Sequence, residues 1–227
     1  MTWTPHEDGE AASAAGSAPV ISYIQPAESP PEYTVARRPT EPVLYSFSRV
    51  SPNAMLLIPP SHAPDTRPLY HISVNLNCFN PLSAITCIRR GATEYGEYVG
   101  DFELGISSQP ATICFRDREF LMSSLITKLG SREGCVWHWM SNSPTHAVRW
   151  DTRPSPAVCS TGLPSNPPLA KFYPSAGLRR PSTPAPISRL QVMPQGHERL
   201  DDILISLLII ERKRLTPSGS DYRTLFS

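Results

Sequence analysis

The chain has little charge and no long apolar run. Only 18% of its residues are Asp, Glu, Lys or Arg, and 21 basic groups nearly cancel 20 acidic ones, leaving a formal net charge of +1. A dedicated nucleic-acid binder normally carries a strong basic excess, so the charge argues against that class. No stretch approaches the roughly 18 apolar residues of a membrane-spanning helix, so none is expected. Residues 1–16 carry Glu7, Asp8 and Glu10 and lack an apolar centre, which argues against a signal peptide. No Asn-x-Ser/Thr acceptor occurs. The cysteines, Cys78, Cys87, Cys114, Cys135 and Cys159, are odd in number and include no Cys-x-x-Cys pair. Zinc and thioredoxin-type sites therefore fail on spacing, and four of the five fall in strand-like segments as small buried hydrophobes. The expectation is an intracellular, cytoplasmic and reduced chain, peripheral wherever it meets a membrane.

What the chain has in excess is proline, 26 residues of 227. That is more than twice the usual share of about 5% and excludes a coiled coil or long-helix protein. Residues 1–41 are rich in Ala, Ser, Pro and Glu and offer too few apolar groups to offset the entropy of ordering, so a disordered tail is expected there. The texture changes at Pro42. Val43, Tyr45 and Phe47 alternate with Leu44, Ser46 and Ser48, and a short apolar run follows at 55–58. Over residues 70–78 the alternation is strict: Tyr70, Ile72, Val74, Leu76 and Cys78 share one face, opposite His71, Ser73, Asn75 and Asn77. That period predicts a strand with one face on a core.

Further strands are predicted over 84–89, 98–106 and 111–116, with 119–128 either a strand or a short helix. Segments 135–140 and 146–151 carry Trp137, Trp139 and Trp150 as large core anchors. Segments 169–173 and 187–193 complete the set, and Pro-rich loops are predicted over 152–168 and 174–186. About ten short strands separated by turn residues predict an antiparallel sandwich or barrel.

The last element differs. Residues 198–215 contain Leu200, Ile203, Leu204, Ile205, Leu207, Leu208, Ile209 and Ile210, interrupted by Ser206. Asp201 and Asp202 lie in the first turn and Arg212, Lys213 and Arg214 in the last, complementing the helix dipole at both ends. Pro217 stops the helix. Apolar on every side, it must be surrounded, and at roughly 25 Å it is short for a bilayer. The fold class expected is a mainly β protein, an antiparallel barrel of about 10–12 strands over 42–215 closed around a hydrophobic C-terminal helix. Residues 216–227 form a short tail. Charging Ile205 or Leu208 should abolish folding.

The order Leu-Tyr-His-Ile-Ser-Val (69–74), Ile-Arg-Arg-Gly (88–91), Trp-His-Trp (137–139), Leu-Ala-Lys-Phe (169–172) and Leu-Asp-Asp-Ile-Leu-Ile-Ser (200–206), with the helix ending in Glu-Arg-Lys-Arg, resembles an uncharacterised domain family of mushroom-type fungi. That family is similar in fold to the tubby C-terminal and phospholipid-scramblase barrels. The resemblance covers about residues 42–215 and implies strands wrapped around a C-terminal helix. Proteins of that fold bind phosphoinositide head groups or associate with membranes, but fold does not carry function. No Asp-x-Asp-x-Asp-Gly loop supports calcium dependence.

Enzyme signatures are missing: no Gly-x-Ser-x-Gly elbow, phosphate-cradling Gly-rich loop, His-Glu-x-x-His or zinc-deaminase pattern occurs. No catalytic, cofactor or metal residue is therefore assigned. The alternative enzyme reading would use a rim site near His138, His146 and the acidic stretch Glu94, Glu97, Asp101 and Glu103, which reads more simply as a solvated face. Residues 152–197 hold Arg153, Lys171, Arg179, Arg180 and Arg189 and no acidic group, a candidate contact for anionic lipid. In the tail, Pro30, Pro31 and Tyr33 form a Pro-Pro-x-Tyr segment of the kind WW domains bind, implying a WW-bearing ubiquitin ligase as partner. The function expected is a non-catalytic binding module, with a purely protein-interaction scaffold as a further alternative.

Overall fold

The computed structural model describes residues 39–78, 80–104, 110–131, 134–140, 147–162, 166–175 and 187–215. The expected tails, with Pro30, Pro31 and Tyr33, lie almost wholly outside that set, as do His146, Arg179 and Arg180. Among the described residues, thirteen strands form one antiparallel sheet in the order β7-β6-β5-β4-β3-β2-β1-β13-β12-β11-β10-β9-β8. The strands are β1 (Val43–Ser51), β2 (Ala54–Ile58), β3 (Tyr70–Asn77), β4 (Asn80–Arg90), β5 (Tyr98–Leu104), β6 (Thr112–Phe115) and β7 (Arg118–Leu121). A single helical turn, α1 (Met122–Leu125), leads to β8 (Ile126–Ser131), β9 (Gly134–Trp139), β10 (Val148–Asp151), β11 (Ala157–Ser160), β12 (Pro168–Tyr173) and β13 (Arg189–Val192). A 3-10 turn, Pro194–Arg199, then opens the helix α2 (Leu200–Leu215).

Most of the strands send side chains to one core. Tyr45, Leu57, Tyr70, Ile72, Ile88, Phe102, Ile113 and Phe115 come from one half of the sheet. Trp139, Val148, Trp150, Cys159, Phe172 and Leu190 come from the other. Helix α2 lies between the halves: Asp202 through Leu207, then Ile209 and Ile210, are all buried, which no one-sided packing allows. Its partners come from both sides. Tyr70 on β3, the β6–β7 turn, Trp139 on β9 and Trp150 on β10 all hydrogen-bond to it. At Gly100 on β5, a Cβ would stand 2.7 Å from the Cys114 carbonyl oxygen and 3.2 Å from Ile205 Cδ1. Glycine is what lets strand, strand and helix approach there.

The sheet curls around the helix but, among the described residues, is not closed by hydrogen bonds, because no ladder joins its terminal strands β7 and β8. The chain itself spans that seam through α1. The Met122 amide donates to the Ala111 carbonyl on one side, and the Met140 amide donates to the Leu125 carbonyl on the other. Above it, Phe115 of β6 meets Trp139 of β9 edge-to-face, with centroids 5.7 Å apart.

Several details depart from the sequence reading. Tyr70 and Ile72 are buried as expected, but Leu76 is 79% exposed and Cys78 is exposed, because the far end of the β3–β4 hairpin extends past the core. Segment 119–128, expected as one strand or one helix, contributes the end of one strand, a helical turn and the start of another. Strand β11 lies inside the predicted Pro-rich loop 152–168, and its Cys159 is fully buried. Leu208 is only half-buried, so charging it is a poorer test of the core than charging Ile205, which is 0% exposed.

Candidate functional site

The helix that fills the sheet carries two polar residues into the core, and strand side chains satisfy both. Asp202, fully buried, accepts from Trp139 Nε1 at 2.9 Å and from Arg116 at 2.7 Å. Arg116 and Asp117 form the two-residue β6–β7 turn with φ of 54° and 58°, the left-handed pair a tight hairpin requires. Arginine is an uncommon residue there, and its ion pair with Asp202 offsets the backbone cost. Ser206 donates to the Asp202 carbonyl and accepts from Trp150 Nε1 at 2.9 Å. These groups are used up in holding the helix.

Near the head of the helix, a shallow cleft of about 200 Å³ is lined by Tyr70, Arg90, His197 and Asp201. Tyr70 donates to Asp201 at 2.5 Å, and Arg90 reaches Asp201 at 2.7 Å and Glu97 at 3.2 Å. Burial, and then the Asp201 charge, push the Tyr70 phenol well above its ordinary range. Burial lowers the His197 pKa, and its buried Nε2 has no hydrogen-bond partner while its ring meets Tyr45 edge-on. The ion pairs are mutually satisfied, so this end reads as a cap on the fold.

A larger cleft of about 410 Å³ opens at the seam beneath α1. Its walls include Ala111, Met122, Ile126 and Trp137, and its cations are Lys128 and Lys213. Met122, Ile126 and Trp137 are buried, while both lysines are exposed. Register explains the meeting. Lys128 pairs with Trp137 across β8–β9, so it points to the same face as that tryptophan, and its ammonium lies 5.5 Å from the ring centroid. Lys213 arrives from the last turn of α2. Partial burial of its ammonium, and secondly the Lys128 charge, lower its pKa from the ordinary lysine value. Among the described residues, no acidic side chain lines the cleft. Like charges held together on an apolar wall can stabilise an anion, and an apolar tail could lie alongside.

The residues singled out in the sequence are only partly assembled. Lys171 on β12 and Arg189 on β13 lie on the outer side of neighbouring strands, where Lys171 pairs with Gln191 and Tyr173 with Arg189. Arg153 is 2.5 Å from Asp151, so its charge is locally neutralised and its side chain does not join them. His138 on β9 stands opposite Thr127 and Arg149. Of the acidic stretch, Glu97 pairs with Arg90, Asp101 accepts from Tyr98 and Glu103 accepts from Asn77, while Glu94 is exposed. Among the described residues, no three His, Cys, Asp or Glu side chains gather to hold a metal. No described helix is long and apolar enough to cross a membrane. Sequence reasoning missed the Lys128–Lys213 pair, since Lys213 reads as a dipole-complementing helix end and Lys128 as one polar residue of an ambiguous segment.

The fold and its clefts define a β-sheet domain wrapped on its own C-terminal helix, with its open sites at the rim and seam. By sequence, residues 57–216 match a family of unknown function (DUF6593), and the chain belongs to that family. No curated protein and no solved structure matches it.

Proposed function

We propose that the domain is a non-catalytic binding module that docks on anionic, phosphoinositide-bearing membrane through the outer face of the β12–β13 hairpin. The observation that carries this reading is the placement of Lys171 and Arg189 on adjacent strands of one outer face, within a segment, 152–197, free of acidic residues. Arg179 and Arg180 fall between those two strands in sequence. Each such cation near an anionic leaflet contributes about 1 kcal/mol, so several together suffice for reversible docking. The filled interior favours a binding role on the outside, because α2 occupies the space a substrate chamber would need. The sequence resemblance to tubby and scramblase-like barrels, whose members meet membranes, favours the same role. Pro30, Pro31 and Tyr33 would recruit a WW-domain protein to the docked module.

The test is co-sedimentation of the full chain with phosphatidylcholine vesicles, with and without phosphoinositide, across a salt series. Binding that needs the phosphoinositide, weakens with salt, and drops about tenfold in Lys171→Glu/Arg189→Glu is expected. No binding at low salt, or binding indifferent to both substitutions, contradicts the reading.

A further inference from the structure

The seam cleft is a second site, and nothing in the docking proposal uses it. Three observations converge there. The first is room: about 410 Å³ falls within the size range of small-molecule pockets, roughly 300–1,000 Å³. The second is an apolar wall built from buried Met122, Ile126 and Trp137 with Ala111 beside them. The third is charge of one sign, Lys128 and Lys213, with no carboxylate among the described lining residues. A hydroxyl, that of Ser123, adds a neutral donor at the same mouth.

A simple inorganic anion would occupy only the lysine end of a cleft of about 410 Å³, and a neutral apolar ligand would leave two neighbouring ammonium groups repelling each other. A molecule with one anionic head and one hydrocarbon chain answers both. We propose that this cleft binds a single-chain anionic amphiphile, a fatty acid, with its carboxylate between Lys128 and Lys213 and its chain along Trp137, Met122 and Ile126. The cleft lies at this seam, bordered by α1 and, among the described residues, not by a continuous strand pair. Binding also relieves the mutual repulsion of the two lysines, since the carboxylate is a counter-charge to both.

The probe is sodium laurate, kept below its micellar concentration and titrated calorimetrically into the full chain. Saturable binding at a single site is expected, weakened by about tenfold in Lys128→Gln and again in Lys213→Gln, as loss of a charge-assisted contact requires. Dodecyltrimethylammonium, with the same chain and a cationic head, should not compete, and acetate, the head without a chain, should not compete either. Absence of saturable laurate binding overturns the proposal. So does equal binding of the cationic amphiphile, or full affinity in both lysine variants. Neither lysine lies on the β12–β13 hairpin, so vesicle docking and laurate binding fail independently.

Discussion

Tyr45 shows how single residues in this fold sense their surroundings. Its ring is buried among strand side chains, and burial pushes the phenol up to about 12 from 10.0. A raised folded pKa favours the protonated form, so the stability it confers is complete below pH 10 and is lost as pH climbs towards 12. Burial also raises Tyr70, Tyr98 and Cys159, which act in the same direction, whereas the lowered pKa of Lys213 acts against them. The urea midpoint should therefore fall across that alkaline window, and fall less in Tyr45→Phe; an identical fall in both proteins would remove Tyr45 from the account. At this scale the sequence is informative where size decides. Trp137, Trp139 and Trp150 are core residues because no other place hides so large a ring. It is uninformative at Leu76, whose place in an alternating pattern says which face it shares but not whether the core reaches that far.

Elements were legible where a period ran long enough to exclude alternatives. β3 and α2 emerge from residue spacing alone, one from alternation and one from an apolar run ending in a stop. β11 did not, because four residues, Ala-Val-Cys-Ser, flanked by prolines carry no period, and only pairing with β10 and β12 makes them a strand. α1 was hidden for a similar reason: one helical turn between two strands matches neither period for long. The seating of α2 rests on Asp202, which binds one half of the sheet through Arg116 and the other through Trp139. Asp202→Ala should lower unfolding free energy by about 3 kcal/mol, since a buried indole N–H and a guanidinium both lose their acceptor. Asp202→Asn keeps an acceptor for Trp139 and should cost less. Urea denaturation of the two variants checks the order, and an alanine variant as stable as the parent would show the Asp202 contacts to Arg116 and Trp139 to be dispensable.

For the whole molecule, the decisive feature is that the protein occupies its own interior. That much follows from sequence, because a helix apolar on every side beside a dozen short strands has few ways to be buried. The seam does not follow. Which strands end the sheet depends on ladder partners, and spacing distinguishes strand from loop without saying who pairs with whom. Lys128 and Lys213 are therefore joined only by the fold, and the cleft they share was invisible until β8 and α2 had places. The basic hairpin was half legible: charge counting found Lys171 and Arg189, but could not tell that Asp151 holds Arg153. The measurement that tests the account most directly is the folding of Ile205→Asp, at a position 0% exposed and facing Gly100. A carboxylate there has no partner and no water, so the account predicts loss of the cooperative urea transition and of near-ultraviolet tryptophan dichroism. A soluble Ile205→Asp protein that unfolds cooperatively, with native tryptophan dichroism, would contradict a sheet wrapped on its own helix.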